Sequence, residues 1–79
     1  MRLDKYLKVS RLIKRRTIAN EACDAGKILV NDKVAKAGTK INENDIIQIQ
    51  FGNNITRVQV LVVKEHVRKE ETGEMYKAI

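Results

Sequence analysis

The first ten residues place apolar side chains at helical spacing among basic ones. Positions three or four apart share one face of a helix, and here they are Leu3, Tyr6, Leu7 and Ser10. Asp4 falls in the first turn, where a carboxylate suits the helix dipole, and it can equally orient a neighbouring arginine. The spacing therefore predicts a basic helix that packs through a narrow apolar stripe.

A second helix is predicted between Thr17 and Gly26. Threonine is a good N-cap residue, and glycine is typical of the position just beyond a helix C-terminus. Cys23 lies in this helix among small residues with no base near it in sequence, so we expect a buried, unreactive thiol. The same spacing rule predicts an inner face of Ile18, Ala22 and Ala25.

From Lys27 onward the apolar residues alternate with polar ones, which is typical of β-strands. Residues 28–30 and 33–35 flank Asn31-Asp32, a pair that tolerates the positive φ of a two-residue hairpin turn. Residues 36–45 form a polar connection. The sequence therefore predicts one β-hairpin followed by a loop.

A second strand pair is predicted around a turn at residues 52–54. Apolar and polar residues alternate on both sides of this turn, so one face of the pair is buried. The predicted inward residues are Ile47, Ile49, Phe51, Val58, Val60 and Val62.

Residues 64–79 have helical spacing in part, with Gly73 interrupting the pattern at a cost of about 1 kcal/mol relative to Ala. The predicted face consists of Thr72, Met75, Tyr76 and Ile79, with Val67 near its start. We predict an α+β fold, in which two N-terminal helices pack on a small antiparallel β-sheet and a short C-terminal helix follows. The chain divides into a domain of residues 1–64 and a tail of residues 65–79.

Size and composition exclude several classes of protein. A chain of 79 residues holds one small domain and is too short for most enzyme folds. One Cys and one His cannot supply the four ligands of a structural zinc site. His66 lies in a charged stretch without paired carboxylates or a nucleophile, so we expect an exposed side chain rather than a catalytic base. We expect no enzyme activity, no metal and no cofactor.

The apolar runs are short, the longest being Val60–Val63, so neither a signal peptide nor a membrane span is predicted. A single thiol cannot close a disulfide and is consistent with a reducing compartment. We therefore expect a cytoplasmic protein. Because no coiled-coil seam is present, we expect a monomer.

The positive charge is concentrated near the N-terminus. The whole chain has a formal net charge of +6, but the residues up to Lys40 include eleven basic and four acidic ones, a net +7. Residues 1–16 alone include seven basic residues and one acidic residue, also a net +6. A field of this kind suits polyanions, nucleic acid first and an anionic membrane surface second. The alternative is a solvated helix face.

Only three aromatic residues are present, so base stacking is not expected to dominate nucleic-acid binding. Arginine can bind phosphate oxygens in pairs and lysine acts as a point charge, which together favour recognition of phosphate positions in folded RNA. The predicted RNA-binding residues are Arg2, Lys5, Lys8, Arg11, Lys14, Arg15 and Arg16, extended by Lys33 and Lys36.

Three segments resemble the S4-like RNA-binding domain, in the expected order and from residue 2 to about residue 51. They are Arg2-Leu3-Asp4-Lys5-Tyr6-Leu7, Ser10 through Ala19, and Gly26 through Asn31 followed by Lys33 and Lys36. Asp32 and Asn44 stand where the family usually has glycine, and both residue types tolerate left-handed geometry. The resemblance implies two helices on a small antiparallel sheet, with the helix pair binding structured RNA.

The short chain is similar to the free-standing members of that family, the fifteen-kilodalton heat-shock proteins and the bacterial factors that stabilise P-site tRNA in ribosome-associated quality control. This resemblance implies binding to large ribosomal subunits obstructed by peptidyl-tRNA, with contacts to rRNA and tRNA. It also implies support for C-terminal tailing of the stalled nascent chain, together with a tailing factor on the same particle.

Two alternatives from other classes stay open. The order helix, basic turn and helix also occurs in DNA-binding helix-turn-helix modules, although the outer face of the second helix offers few base-reading side chains beyond Asn20. A protein-interaction module could instead use the acidic tail from Glu65 to Glu74 to bind a partner.

Overall fold

Two α-helices precede a five-stranded antiparallel β-sheet in the computed structural model, which describes all residues from 1 to 79. Helix α1 is Leu3–Val9 and α2 is Arg16–Asp24. The strands are β1 Ile28–Val30, β2 Lys33–Val34, β3 Ile46–Phe51, β4 Asn54–Val60 and β5 Tyr76–Ala78, and a 3₁₀ helix covers Lys69–Glu74. The strand order is β2-β1-β3-β4-β5. The predicted α+β class is confirmed.

The apolar face of α1 lies in the core as predicted. Leu3, Tyr6 and Leu7 are fully buried, and Ser10 is buried with them. They share one hydrophobic cluster with the inward side chains of the sheet, such as Ile47. Full burial of a large apolar side chain contributes about 1.5–3 kcal/mol, so this face fixes α1 and leaves its basic residues outside.

Helix α2 docks through smaller residues than the sequence predicts. Its buried residues are Ala19, Ala22 and Cys23, whereas Ile18 is 42% exposed. Ala25 is exposed as well, so of the predicted inner face only Ala22 is confirmed. The prediction followed the helical spacing of Ile18, Ala22 and Ala25, but the face that packs on the core is that of Ala19, Ala22 and Cys23, whose small side chains allow α2 to approach closely.

The start of α2 differs from the prediction and its end agrees with it. The N-cap residue is Arg15, without a side-chain hydrogen bond, so Thr17 lies inside the helix and is not the cap. Gly26 has φ +72°, and the amide of Lys27 donates to the carbonyl of Ala22 at 3.0 Å. This pattern is a Schellman C-cap, in which glycine avoids the strain of left-handed backbone.

Both predicted hairpins form. Asn31 and Asp32 have φ of 52° and 67°, as a two-residue turn with two left-handed positions requires, and β3 pairs with β4 around Gly52. Asn44, where the family usually has glycine, also has a positive φ, 73°. Phe51 was predicted to be buried, but it is 42% exposed because it ends β3 at the turn.

The predicted short C-terminal helix is present only as the 3₁₀ helix Lys69–Glu74, which ends before Met75, Tyr76 and Ile79, residues expected on its face. Residues 76–78 form an edge strand paired with β4, and Met75 is buried at 1% exposure. The backbone groups along the edge of β4 require partners, and β5 supplies them; the helical spacing of a few apolar residues could not reveal this long-range pairing. The division of the chain at residue 64 stays a prediction, and the tail packs on the same core. Neither α-helix is long and apolar enough to span a membrane.

Candidate RNA-binding surface

Asp4 is the centre of a polar cluster between the two helices, which we call the Asp4 clamp: Asp4, Arg2, Arg16 and Asn20. The carboxylate is 1% exposed. Its Oδ1 accepts hydrogen bonds from Arg2 Nε at 3.3 Å and Arg16 Nη2 at 3.4 Å. Its Oδ2 accepts from Arg2 Nη2 at 3.4 Å, Arg16 Nε at 3.2 Å and Asn20 Nδ2 at 3.1 Å. One carboxylate therefore ties both helices and both arginines together.

Burial alone raises the pKa of Asp4, because desolvation disfavours the charged form. The hydrogen bond from Arg16, the backbone N–H of Lys5 at 2.8 Å and the positive charges of Arg16 and Arg2 outweigh that effect. The pKa of Asp4 is consequently lowered from its ordinary value of 3.8. The carboxylate stays ionised at neutral pH, and of the two roles considered for Asp4, the structure supports orientation of arginines.

The clamp leaves part of each guanidinium available to a ligand. The side chains of Arg2 and Arg16 are 56% and 47% exposed. Each presents its Nε and one Nη2 hydrogen to Asp4, so its remaining N–H donors are free to bind phosphate. Because one edge of each group is fixed, less side-chain entropy is lost on binding than for a free arginine.

The segment between the helices, residues 10–15, presents three further cations, and we call it the basic turn. Ile13 is 5% exposed and anchors the turn in the core, while Arg11, Lys14 and Arg15 are exposed. None of these three side chains belongs to an ion pair of the structure. Arg11 has φ 63°, a conformation that usually costs a non-glycine residue about 1–2 kcal/mol.

The N-terminus is held by the connection between β2 and β3, which adds another lysine to the surface. The amide of Leu3 donates to Thr39 O at 2.8 Å, and Arg2 forms a β-bridge with Lys40. As a result, one groove is lined by a cluster of cations: Arg2, Lys5, Arg16 and Lys40.

A second groove, which we call the tail groove, lies between the end of α1 and the start of the tail. Its lining residues are Lys8, Val9, Arg11, Lys14, Glu65, His66 and Val67. Glu65 also lines the first groove, and its Oε1 lies 3.6 Å from Lys5 Nζ. The tail thus forms one wall of a surface whose other wall is basic.

The structure brings most of the predicted RNA-binding residues to these grooves and the basic turn. Lys33 and Lys36 are exposed on β2 and the following loop and line neither groove. Lys36 is next to Ala37, whose carbonyl accepts a hydrogen bond from the amide of Asp4 at 3.1 Å, so the backbone beside Lys36 contacts α1.

The sequence reasoning missed Lys40 and Glu65 as parts of this surface, and it assigned His66 no role. Lys40 reaches Arg2 only through a backbone bridge 38 residues along the chain, and Glu65 reaches Lys5 only because the tail folds back. No local sequence signal marks either contact. His66 is exposed as expected.

No group of three or more His, Cys, Asp or Glu side chains is placed to hold a metal ion in this structure. Cys23 is buried, and burial raises the pKa of its thiol to about 11, with smaller contributions from Asp4 and Asp24. The prediction of a buried thiol is therefore confirmed, and its raised pKa disfavours the thiolate form that reacts.

Comparison with known proteins identifies the family. The S4 domain matches residues 1–47. The RQC P-site tRNA stabilizing factor of Halalkalibacterium halodurans is 58% identical over 76 residues, which cover 96% of this chain and 86% of the relative. This chain belongs to the S4 domain family and, within it, to the RQC P-site tRNA stabilizing factors. The Streptococcus pneumoniae factor of the same name is 52% identical over 79 residues, covering 100% of this chain and 90% of that relative.

A solved structure agrees with the fold of this S4 family member. The trimeric structure of Vibrio cholerae Heat Shock Protein 15 superposes with a TM-score of 0.92 at 24% identity, covering 100% of this chain and 81% of that one. The S4 match includes both helices and the basic turn, but it ends before β4 and the tail. The wall of the tail groove that is formed by Glu65, His66 and Val67 therefore lies outside the matched segment, whereas the wall formed by α1 and the basic turn lies inside it.

Proposed function

We propose that this S4 protein binds large ribosomal subunits obstructed by peptidyl-tRNA, contacts rRNA and P-site tRNA together, and supports C-terminal tailing of the stalled nascent chain. It acts as a cytoplasmic monomer off the ribosome, as a binding protein rather than an enzyme, and works beside a tailing factor. Support comes from the names of relatives at 58% and 52% identity.

The single observation that carries RNA binding is the continuity of cations from the Asp4 clamp through the basic turn. Arg2, Lys5 and Arg16 line one groove, and Lys8, Arg11 and Lys14 line the next. Arg15 joins the two sets, because it stands between Lys14 of one groove and Arg16 of the other. Lys33 and Lys36 extend the proposed contacts. Exposed donors at fixed positions suit the phosphates of folded RNA.

The test is co-sedimentation with three particles: large subunits carrying peptidyl-tRNA, empty large subunits and small subunits. We expect the strongest recovery with the obstructed large subunits, and loss of that recovery in Arg15→Glu/Arg16→Glu. Equal recovery on all three particles would contradict the proposal. In a tailing reaction reconstituted on the obstructed subunits, omission of the protein is expected to reduce addition of residues to the nascent chain.

Two further experiments distinguish the proposed function from the DNA-binding and protein-interaction alternatives. Competition between duplex DNA and a structured RNA of equal charge is expected to favour RNA, and preference for DNA would support a helix-turn-helix module. Glu70→Gln/Glu74→Gln, which neutralises exposed acids of the tail, is expected to leave recovery unchanged; its loss would support a protein-interaction role for the tail.

A further inference from the structure

The tail groove has a different composition from the rest of the basic surface. One wall carries Lys8, Arg11 and Lys14, and the other carries Glu65 and His66. Val9 and Val67 are half-buried and pack against the hydrophobic core, which gives the groove apolar contact area. A groove that only tracked a phosphate backbone would need neither an acidic wall nor an apolar one.

The tail groove is a concave, half-open site rather than a flat face. The volume is about 570 Å³, within the range of about 300–1,000 Å³ typical of small-molecule pockets. Polar and apolar groups converge in it from two segments that are far apart in sequence. This arrangement suits a ligand with a charged end and a flat, partly apolar end.

We propose that the tail groove binds one unpaired ribonucleotide of the RNA, with its phosphate on the lysine and arginine wall and its base against His66. This inference rests on the proposed RNA-binding function and adds a site to it. Unstacked bases in RNA are commonly held by stacking on aromatic side chains, histidine included, and His66 lines this groove.

The charge distribution sets the orientation of the nucleotide. Glu65 repels a phosphate, and Lys8, Arg11 and Lys14 attract one, so the phosphate occupies the α1 side. The ion pair of Glu65 with Lys5 at 3.6 Å places the carboxylate at the edge of the groove, and its side chain is 69% exposed. Its oxygens remain able to accept hydrogen bonds from the N–H donors of a base such as guanine.

The test uses three RNA hairpins that differ at one position: a fully paired stem, the same stem with a single unpaired guanosine, and the same stem with an abasic nucleotide there. Wild-type protein is expected to bind the guanosine hairpin at least about fivefold more tightly than the other two, from the typical contribution of one stacked base. The abasic hairpin keeps the extra phosphate, so it isolates the contribution of the base.

His66→Ala is expected to remove the advantage of the guanosine hairpin while leaving affinity for the paired stem unchanged. With a fourth hairpin that carries uridine at the unpaired position, Glu65→Gln is expected to reduce the preference for guanosine over uridine, and Glu70→Gln, outside the groove, is the matched control. His66 and Glu65 are both exposed, so neither variant disturbs the core.

Equal binding of all three hairpins by the wild type would overturn the nucleotide site and leave RNA binding intact. An equal loss of all three affinities in His66→Ala would also overturn it, because the histidine would then contribute to the phosphate surface alone. Failure of the wild type to bind any hairpin would instead contradict the proposed function.

Discussion

The two arginines of the Asp4 clamp and the three cations of the basic turn are held by the fold in different ways. Arg2 and Arg16 each make two hydrogen bonds to a buried carboxylate. Arg11, Lys14 and Arg15 are exposed and belong to no ion pair. The difference teaches that one patch of charge combines two arrangements: the proposed RNA contacts of the clamp arginines are coupled to the stability of the fold, whereas those of Lys14 and Arg15 in the basic turn are not.

The largest expected effect is on RNA affinity, from reversal of charge in the basic turn. Lys14→Glu/Arg15→Glu is expected to lower affinity for structured RNA about 100-fold, since two charged contacts contribute about 1.5 kcal/mol or more each. The free energy of unfolding is expected to stay within about 0.5 kcal/mol of the wild type, as is usual for surface positions. Filter binding and urea denaturation measure the two quantities.

The matched control reverses two cations on the outer face of the sheet. Arg57 and Lys77 lie in register with Gln48 and Gln59, away from the core. Each double reversal lowers the formal net charge from +6 to +2. An equal loss of RNA affinity in Arg57→Glu/Lys77→Glu would show that net charge, rather than the basic turn, governs binding.

The next largest effect is on stability, from removal of the clamp's carboxylate. Asp4→Ala is expected to lower the free energy of unfolding by about 2 kcal/mol, because Asn20, the Lys5 amide and two arginines lose their shared acceptor. The half-exposed arginines regain water, which keeps the cost below that of a fully buried pair. Asp24→Ala, at an exposed position near the end of α2, is the control, and a loss of equal size there would contradict this role of Asp4.

The pH dependence of the clamp follows from the lowered pKa of Asp4. A carboxyl group whose pKa is lower in the folded state contributes stability above its unfolded pKa, and this contribution is lost as pH falls through the folded pKa. The stability difference between wild type and Asp4→Asn is therefore expected to be full at pH 7 and to shrink below about pH 4, near the ordinary value of 3.8. A difference that stays constant or grows in acid, measured by urea denaturation, would contradict the clamp.

The smallest expected effect concerns the left-handed residue of the basic turn. Arg11→Gly is expected to raise the free energy of unfolding by about 0.5–1 kcal/mol, because glycine adopts a positive φ without strain. The same change is expected to lower the salt slope of log affinity by about 0.7–0.9, the effect of one lost phosphate contact. Arg11→Ala removes the cation but keeps the strain, so a similar gain in stability for both variants would contradict this explanation.

Local sequence signals predicted the features that depend on neighbouring residues. The buried stripe of α1, the glycine C-cap of α2 and the Asn31-Asp32 turn each follow from spacing or backbone preference within a few residues. The cations of the basic turn follow from the local concentration of charge, and their contact with RNA stays a prediction. Ile18 was predicted on the buried face of α2 because spacing groups it with Ala22 and Ala25, but spacing does not reveal that the helix packs through its smallest side chains.

Long-range pairing accounts for what the sequence did not reveal. The strand β5 forms because the edge of β4 is available, and Tyr6 Oη donates to the carbonyl of Met75 at 2.8 Å across the core. The same folding back of the tail places Glu65 beside Lys5. The two contacts between the tail and α1 join residues 60 or more positions apart, and the β4–β5 pairs join residues 16 to 20 positions apart. No periodicity within any of these segments indicates them.

The most direct test of the central claim is site-specific crosslinking on large subunits that carry peptidyl-tRNA. A photoreactive residue is placed at Lys14 in the basic turn and, in a second variant, at Gln59 on the outer face of the sheet. We expect position 14 to crosslink to rRNA or tRNA nucleotides and position 59 to give no RNA crosslink. RNA crosslinks from position 59 alone, or equally from both positions, would contradict the assignment of the helix pair as the RNA-binding surface.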